Sequence, residues 1–490
     1  MHKLIQCALL LPLLCCPLLA QSQTPTVAQS AAQAAATLTP AQKQQVQQAA
    51  QHPKDAAAIK KISSSLTPEQ VQTLQKLADH ITPEQVLTPA QMEIFDELDR
   101  TTSPSRALLE KAIDSVTDEQ WSLIHKFFPG LKMTPELKNT IIELVQKVYA
   151  IAYNDKIPVM ERGRQLKALV SQYIDLDKVK IKRTICIWDP IGRAGPIFQA
   201  AMDQKSKATA FGVDLDMIPY TDEAIAVADL KANRCDAALI SGMRARSFNT
   251  FTGTTDAIGA ISSDKEMRTL LYVLSRPAMA KHMIQGPLLT LGIAQGGAAY
   301  VFVDDRSINS LGKAAGKKVA VLGYDQVQAE MVAAIGATPV PTTMVSAPNK
   351  FNNHVVDVLA APLVAYNALE LYKGMTPNGG IIDYPLAQIT MQLIGWRYKI
   401  PNVIGQLTRE LFFQNYDTIN DALNNEVKNI PQHWWIEIPE KDRGQYQYMM
   451  QQARLTLRDK GYYSGEMLTI ERKIRCKYHP DNSECTNPVE

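Results

Sequence analysis

Residues 311–323 read Leu-Gly-Lys-Ala-Ala-Gly-Lys-Lys-Val-Ala-Val-Leu-Gly, and this stretch decides the fold. Its part at 317–322 has the apolar, β-branched composition of a short buried strand. Gly323 then lets the chain turn into a helix, whose N-terminus can meet a ligand through its free backbone N–H groups. A second apolar segment, at 355–359, predicts another strand, which the Ala-Ala-Pro at 360–362 ends. Because ligands bind beyond the carboxyl ends of parallel strands in open α/β sheets, we expect a binding crevice at this edge.

Alternating strand and helix patterns surround this stretch and predict two lobes. The upstream segments lie at 184–188, 195–206, 213–218, 223–232 and 237–241. Their order is typical of βαβ units in a doubly wound lobe. The pattern restarts at 299–303, continues to about residue 392, and residues 401–411 return the chain to the first lobe. We therefore expect an α/β, two-lobed fold of the periplasmic-binding-protein type (type II) with a hinge. The predicted parts are a first lobe at 182–298 and 401–490 and a second lobe at 299–400.

The region from residue 38 to 177 has a helical pattern and predicts an added N-terminal all-α accessory domain. A recurring helix-start signal punctuates it, with copies that begin at Leu38, Leu66, Ile81, Leu87, Val116 and Met133. In this signal Thr is a favoured N-cap, Pro suits the first helical position, and a Gln three residues after Thr completes a capping box. The irregular spacing of the signals argues against a strict solenoid. The domain is either a spacer or a docking or dimerisation element.

The first residues predict export from the cytoplasm. Lys3 supplies a positive n-region, and the apolar residues 4–19 are followed by a cleavage site of the signal-peptidase type. We expect a cleaved signal peptide at 1–20, a flexible leader rich in Gln, Ala, Ser and Thr at 21–37, and a periplasmic location. Lipidation at Cys15 is an alternative, although the leucine before it stands where a small residue is expected.

Removal of the signal peptide leaves an even number of cysteines in an oxidising compartment, which favours disulfides. These cysteines are Cys186, Cys235, Cys476 and Cys485. Three connectivities are possible. The short spacing favours Cys476 with Cys485, so that Cys186 would pair with Cys235 across neighbouring strands. A metal site is the rival interpretation, but no Cys-x-x-Cys or paired His motif supports it.

Composition and motifs exclude several classes of function. The formal net charge of +2 over 490 residues, with both signs mixed along the chain, provides no basic surface for nucleic acid. The sequence has no Gly-x-Ser-x-Gly elbow and no His-Glu-x-x-His motif, and its few histidines, such as His354 and His433, are isolated. We therefore expect no catalytic activity and no cofactor. The length predicts two or three domains of about 100 to 200 residues each.

Short motifs in order along the chain carry a resemblance to known families. They are Ile185-Cys186-Ile187-Trp188-Asp189, Arg234-Cys235-Asp236, Arg244-Ala245-Arg246-Ser247-Phe248-Asn249, Ala299-Tyr300-Val301-Phe302-Val303-Asp304-Asp305-Arg306, Ala361-Pro362 and Leu369-Glu370-Leu371-Tyr372-Lys373-Gly374. On these residues the chain is similar to the AdeT-type solute-binding proteins, over about residues 183–485. The order of Gly-Lys-Lys, Gly-Ala-x-Pro-Val and Val-Asp also resembles the substrate-binding proteins of TRAP (tripartite ATP-independent periplasmic) transporters. The resemblance implies a TRAP-like fold, a small-molecule solute and a membrane transporter subunit as partner.

Arg244 and Arg246 follow directly on a predicted strand and are the leading candidates for ligand binding. A guanidinium at the carboxyl edge of a sheet can hold a carboxylate or phosphate through two hydrogen bonds. The alternative is that one of them pairs with Asp236 or Asp256 and braces the loop. Asn249 lies on the continuation of this loop and could add neutral hydrogen bonds.

The second lobe offers further candidates. Tyr324 and Asp325 stand at the turn from the strand at 317–322 to its helix, where a bound group would meet backbone donors. Asp325 has the alternative role of capping that helix. Tyr300 and Tyr366 have rings that could stack on a solute, or that could serve packing at the hinge alone.

Ala320 is a departure from the TRAP pattern. TRAP binding proteins usually carry an arginine in the strand after Gly-Lys-Lys, which fixes the carboxylate of the substrate. Here Arg244 or Arg246 would have to supply that charge from the other lobe, or the solute is not a simple carboxylate.

The leading hypothesis is a periplasmic receptor that captures a small polar or anionic molecule between its lobes. The alternative is an accessory or docking component of an envelope transport or efflux system, because AdeT-type proteins have been assigned to efflux.

Overall fold

The computed structural model describes residues 36–80, 82–128, 131–179 and 181–490. The expected signal peptide at 1–20 and nearly all of the leader at 21–37 lie outside these residues. Within the described ranges, no helix is both long and apolar enough to cross a membrane.

The N-terminal region is helical, which confirms the expectation of an added all-α region. Its helices are α1 (Pro40–Gln51), α2 (Ala56–Ser65), α3 (Pro68–His80), α4 (Pro89–Arg100), α5 (Arg106–Asp114), α6 (Asp118–Phe127), α7 (Pro135–Ala152) and α8 (Val159–Ser171), with a 3-10 turn at Pro83–Gln85.

Strands and helices alternate from Ile181 onward. The strands are β1 (Ile181–Trp188), β2 (Val213–Tyr220), β3 (Ala237–Ser241), β4 (Ile284–Gln285), β5 (Leu288–Val303), β6 (Lys318–Leu322), β7 (Thr338–Thr342), β8 (Val358–Pro362), β9 (Gly380–Ile382), β10 (Ala387–Trp396) and β11 (Trp435–Ile436). The helices are α9 (Pro196–Asp203), α10 (Lys205–Ala210), α11 (Glu223–Lys231), α12 (Gly242–Ala245), α13 (Thr250–Gly253), α14 (Asp264–Ser275), α15 (Leu311–Ala314), α16 (Gln326–Ala334), α17 (Ser346–Asn352), α18 (Ala365–Ala368), α19 (Tyr372–Met375), α20 (Asn402–Gln414), α21 (Tyr416–Val427), α22 (Glu440–Asp459), α23 (Gly465–Tyr478) and α24 (Ser483–Thr486). Further 3-10 helices lie at Gly192–Ala194, Thr254–Asp256, Pro277–Met283 and Gln432–Trp434.

Two long strands join the two lobes. The described strands form a mixed sheet with the order β2-β1-β3-β10-β5-β8-β6-β7. In the first lobe β1 pairs in parallel with β2 and β3, and in the second lobe β6 pairs in parallel with β7 and β8. Between them β10 is antiparallel to β3 and β5, and β5 is antiparallel to β8. The expected two-lobed α/β fold is confirmed, and β5 and β10 are its crossings.

Two strand predictions need correction. The segment at 299–303 does not start a new unit, because it is the end of β5, whose earlier residues already pair with β10. The strand predicted at 355–359 starts only at Val358, since His354 has a positive φ of 54° and the chain is still turning after α17. β8 then continues through Pro362, which was expected to lie beyond its end, because its pairing with β5 extends to this residue.

The edge strand β7 presents prolines to solvent. The N–H of Thr338 donates to the carbonyl of Lys317 at 2.8 Å, so Thr338 and every second residue after it face the neighbouring strand β6. Pro339 and Pro341 therefore face the open edge of the sheet. At these two positions the backbone N–H of any residue would point away from β6. The missing N–H of proline therefore removes no hydrogen bond from the sheet.

Two helical modules of the same design follow each other in the N-terminal region. In the first, Gln42 of α1 and Gln70 of α3 exchange side-chain hydrogen bonds of 3.1 and 2.9 Å. In the second, Gln91 of α4 and Gln120 of α6 exchange bonds of 2.9 and 3.1 Å. All of these side chains are buried, so each pair satisfies polar groups that would otherwise destabilise the module. Equivalent residues are about 50 positions apart, the spacing of a repeat.

The same glutamines complete the helix-start signals. Each accepts a hydrogen bond of 2.9 Å from the backbone N–H of the threonine three residues before it. These threonines are Thr39, Thr67, Thr88 and Thr117. One side chain therefore caps its own helix and also joins the first and third helices of the module. The irregular spacing of the signals hides the repeat, because each module contains two of them.

The helical region packs on the first lobe through apolar and charged contacts. Val148 of α7 and Leu166 of α8 belong to an apolar cluster that includes Val403 of α20. Beside it Arg162, which is fully buried, forms an ion pair with Glu410 of α20. The same guanidinium donates to two backbone carbonyls, at 2.6 and 2.9 Å. A buried arginine that is paired and hydrogen-bonded in this way fixes the helical region to the lobe.

Both expected disulfides are present. Cys186 of β1 is bonded to Cys235, just before β3, with the Cα atoms 5.9 Å apart. Cys476 is bonded to Cys485 with a Cα separation of 5.6 Å and closes the loop after α23. The first bond ties neighbouring strands of the first lobe, as the spacing predicted.

The buried ion pair between Arg162 and Glu410 generates a stability prediction. Glu410→Gln leaves a buried guanidinium without its counter-charge, so we expect the free energy of unfolding to fall by roughly 3 kcal/mol in urea titrations. The matched control is Glu161→Gln, which removes the acid of the exposed pair with Arg164 on α8 and should change little. Equal effects of the two substitutions would contradict the role given to the buried pair.

Candidate functional site

The two lobes meet where β3 and β6 end. β3 leads directly into α12, whose N-cap is Ser241, and β6 leads through Gly323 into α16, whose N-cap is Asp325. Both are carboxyl ends of parallel strands, where α/β sheets place their ligands. The residues that follow the two strands therefore form the facing walls of the cleft between the lobes.

Arg246 and Asp325 form an ion pair across this cleft. The distance from Nη2 of Arg246 to Oδ1 of Asp325 is 2.5 Å, and the side chains are 11% and 3% exposed. The same Oδ1 accepts the backbone N–H of Val327 at 3.1 Å, so Asp325 also caps α16, the alternative role that its position suggested. The ring centroid of Tyr463 lies 5.6 Å from the guanidinium. The pair joins the first lobe to the second.

Arg244 stacks on Tyr324 beside a buried carboxyl group. Its guanidinium carbon lies 3.4 Å from the centroid of the tyrosine ring. Glu223, at the start of α11, lies 3.5 Å from Nε of Arg244 and accepts the hydroxyl of Tyr324 at 3.3 Å. Its other oxygen accepts the N–H of Ser241 at 2.7 Å. Burial raises the pKa of Glu223, and the hydrogen bonds of Ser241 and the charge of Arg244 oppose that change.

The three remaining candidates make their contacts elsewhere. Asn249 is buried, caps α13 and donates to a backbone carbonyl at 3.0 Å. Tyr300 is partly buried, and its ring packs edge-on against Trp435 with the centroids 5.6 Å apart. Tyr366 is buried, with its ring centroid 5.8 Å from that of Tyr372. Asn249 therefore ties its loop to the 3-10 helix at Pro277–Met283, and the two tyrosines contribute to aromatic packing in the second lobe.

A buried carboxyl group, Asp256, connects the arginine segment to the hinge strand β10. Its oxygens accept the hydroxyl of Thr390 at 2.5 Å and the N–H of the same residue at 3.2 Å. Burial raises the pKa of Asp256 to about 7, while these hydrogen bonds and the charge of Arg246 lower it. A Cβ atom on Gly242 would clash with this carboxylate, so glycine is needed at the start of α12. Asp256 is therefore bonded to the hinge strand β10 and packed against the start of α12.

Glu223 and Asp256 were not among the sequence candidates for binding. Glu223 is the first residue of a predicted helix that follows a strand, a position where an acid is favoured by the helix dipole. Its position alone could therefore have identified Glu223 as a candidate from the sequence. In the sequence Asp256 is a candidate only as a partner for an arginine, because its contact with β10 depends on long-range strand pairing.

The C-terminal helices contact both lobes at one end of the cleft. Tyr463 and Leu468 pack in one apolar cluster with Ala257 of the first lobe and Val327 of the second. Lys460, at the end of α22, also forms an ion pair of 2.6 Å with Glu330 on α16. These contacts limit the access of solvent to the pair of Arg246 and Asp325.

A further buried carboxyl group lies on α23. Glu471 is fully buried, and neither of its oxygens has a hydrogen-bond partner among the described residues. Burial raises the pKa of Glu471 well above its ordinary value, with the charges of Arg475 and Arg454 opposing this and Asp256 adding to it. The neutral form of this carboxyl group is therefore favoured. Within the described ranges, no cluster of three or more His, Cys, Asp or Glu side chains could hold a metal ion.

Comparison with known sequences shows that the α/β region matches a family of solute-binding proteins. The family model described as solute-binding protein AdeT 1/2 matches residues 204–490. The chain is 40% identical over 299 residues to the Probable solute-binding protein AdeT1 of Acinetobacter baumannii, a match that covers 61% of this chain and 98% of that relative. It is 24% identical over 233 residues to AdeT2 of the same organism, covering 48% of this chain and 98% of the relative. The helices α1 to α8 lie outside the family match.

Solved structures with the same fold include periplasmic solute-binding proteins of TRAP systems. One from Desulfovibrio salexigens, with bound orotic acid, has a TM-score of 0.52 at 12% identity and covers 61% of this chain and 99% of its own. One from Ralstonia eutropha, with bound (S)-2-acetolactate, has a TM-score of 0.51 at 13% identity and covers 60% and 99%. One from Haemophilus influenzae, with bound L-gulonate, has a TM-score of 0.50 at 11% identity and covers 60% and 100%. At these identities the likeness shows the fold alone.

The unpartnered Glu471 generates a prediction about pH. Because the pKa in the folded state lies above the ordinary value of 4.5, the native protein holds a proton that the unfolded chain releases, and stability falls as pH rises through this window. We expect the melting temperature of Glu471→Gln, relative to the wild type, to increase from about pH 5 to about pH 9. The control Glu161→Gln removes an exposed acid whose pairing with Arg164 holds its pKa below the ordinary value, under this pH range, and it should show no such trend. A constant difference for Glu471→Gln across this range would contradict the prediction.

Proposed function

Because this chain belongs to the AdeT 1/2 solute-binding protein family, we propose that it is a periplasmic receptor. In this role it captures a small polar or anionic molecule in the cleft between its lobes and delivers it to a membrane transporter. The observation that carries the proposal is the placement of Arg244 and Arg246 directly after β3, on the wall that faces the N-terminus of α16. The predicted signal peptide supports the location.

The cleft has the chemistry for an acidic solute. Guanidinium groups hold carboxylates through paired hydrogen bonds, and partial burial strengthens such bonds because water competes less. Ala320, in β6, is buried and apolar and offers no charge, so in this proposal Arg244 or Arg246 supplies it from the first lobe. The solved neighbours carry orotate, acetolactate and gulonate, which are organic acids, and this likeness supports the same class of solute here.

A second candidate function concerns the helical region. The family match starts at residue 204, and the AdeT1 relative is covered almost completely by 61% of this chain. The two repeated modules of α1 to α6 are thus an addition to the binding unit. We propose that they dock the receptor onto a component of an envelope transport or efflux system. Affinity capture from envelopes with and without α1 to α6 tests this, and equal recovery of transporter subunits would reject it.

The receptor proposal is tested by identifying a bound molecule. Native mass spectrometry of the mature protein, followed by denaturation, should release a small molecule in a one-to-one ratio. Titration calorimetry with that molecule should then show about tenfold to a hundredfold weaker binding for Arg244→Ala and for Arg246→Ala, the range for hydrogen bonds to charged groups. Arg268→Ala is the control, because this arginine lies on α14 and pairs with the exposed Asp417. A protein that neither carries nor binds any small molecule would refute the receptor function.

A further inference from the structure

The carboxylate of Asp325 already binds the guanidinium of Arg246, whose N–H donors an acidic solute would need. Nη2 of Arg246 donates to one of its oxygens at 2.5 Å, and both side chains are almost buried. Asp325 is supplied by the second lobe, whereas Arg246 comes from the first. A protein carboxylate therefore reaches across the cleft to the arginine proposed to bind the solute.

Asp325 is held in place by its own helix. It is the N-cap of α16, and its Oδ1 accepts both the N–H of Val327 at 3.1 Å and the guanidinium of Arg246. Its backbone N–H donates to the carbonyl of Leu322 at 2.8 Å, which fixes the turn after β6. This carboxylate thus offers Arg246 a single shared oxygen. A free carboxylate can instead accept two parallel N–H bonds from one guanidinium, which is the stronger arrangement.

Arg244 is also in contact with side chains of the protein itself. Its guanidinium is stacked on Tyr324 and lies beside the carboxyl group of Glu223. The contact with Glu223 is long, 3.5 Å, whereas that between Arg246 and Asp325 is 2.5 Å. Competition with a solute is therefore concentrated at Arg246.

We propose that Asp325 is a built-in competitor for the acidic group of the solute and thereby sets the specificity of the cleft. Resting on the proposed receptor function, the proposal is that a solute occupies this part of the cleft by replacing Asp325 on Arg246 with a carboxylate of its own. Neutral molecules cannot displace an ion pair that is largely removed from water, because they leave both charges without partners. Acids that bind Arg246 through one oxygen gain little over Asp325. The cleft selects carboxylates that can bind the guanidinium through two oxygens.

The substitution Asp325→Asn separates competition from helix capping. Asparagine is as good an N-cap as aspartate, so α16 keeps its hydrogen bond to Val327, while the charge that engages Arg246 is removed. With sodium orotate and sodium L-gulonate as probes, we expect titration calorimetry to show at least about tenfold tighter binding to Asp325→Asn than to the wild type, the usual order of a buried charged hydrogen bond. Asp55→Asn is the matched control, since it makes the same change at the N-cap of α2, away from the cleft, and should leave the affinity unchanged.

The outcomes distinguish this inference from the receptor function. Tighter binding of either acid to Asp325→Asn, together with loss of that gain in the double variant with Arg246→Gln, supports competition at this arginine. Equal or weaker binding to Asp325→Asn overturns it, because Asp325 would then not compete with the solute. If native mass spectrometry releases a stoichiometric solute that is not an acid, the receptor function stands and the competitor role is rejected. If neither the wild type nor Asp325→Asn carries or binds any small molecule, both proposals fall.

Discussion

The antiparallel pairing of β5 with β10 is the constraint on which the rest of the structure depends. These strands run side by side from the pair of Leu288 and Trp396 to the pair of Ala299 and Ala387. The first lobe is attached to the pair through β3, and the second lobe through β8. If this pairing slipped by one residue, every side chain of the slipped strand would change faces. The ends of β3 and β6, and hence the two walls of the cleft, would no longer meet.

Buried polar contacts reinforce that pairing. Gln392 on β10 donates to the carbonyl of Thr252 at 2.9 Å, and Thr390 bonds to Asp256. Because a buried polar group destabilises the fold when it loses its partner, a shifted register that broke these hydrogen bonds would be disfavoured. The segment that carries Arg244 and Arg246 begins at Gly242, which packs directly against Thr390 and Asp256. The hinge and the candidate site are therefore parts of one hydrogen-bonded structure.

Local patterns predicted the lobes well, and long-range contacts explain what they missed. Arg244 and Arg246 could be found because they directly follow a recognisable strand. The full length of β5 could not be recognised, because it contains Gly296 and Gly297, and Gly297 has a φ of 92° at an irregularity in the pairing with β10. A glycine pair normally indicates a break, and only the partner strand shows that β5 continues. In the helical region the sequence does carry a signal of the repeated modules, because Leu-Thr-Pro-Ala-Gln occurs unchanged at 38–42 and at 87–91.

The prolines of the edge strand β7 have a consequence for the behaviour of the molecule at high concentration. A sheet edge with free N–H and C=O groups is a template on which another chain can add a strand. At Pro339 and Pro341 an incoming strand would find no N–H donor, and the proline rings occupy the space where it would approach. The second lobe therefore ends in an edge that resists recruitment of further strands. This favours a protein that stays dispersed when it is abundant, without the need for a helix to cover that edge.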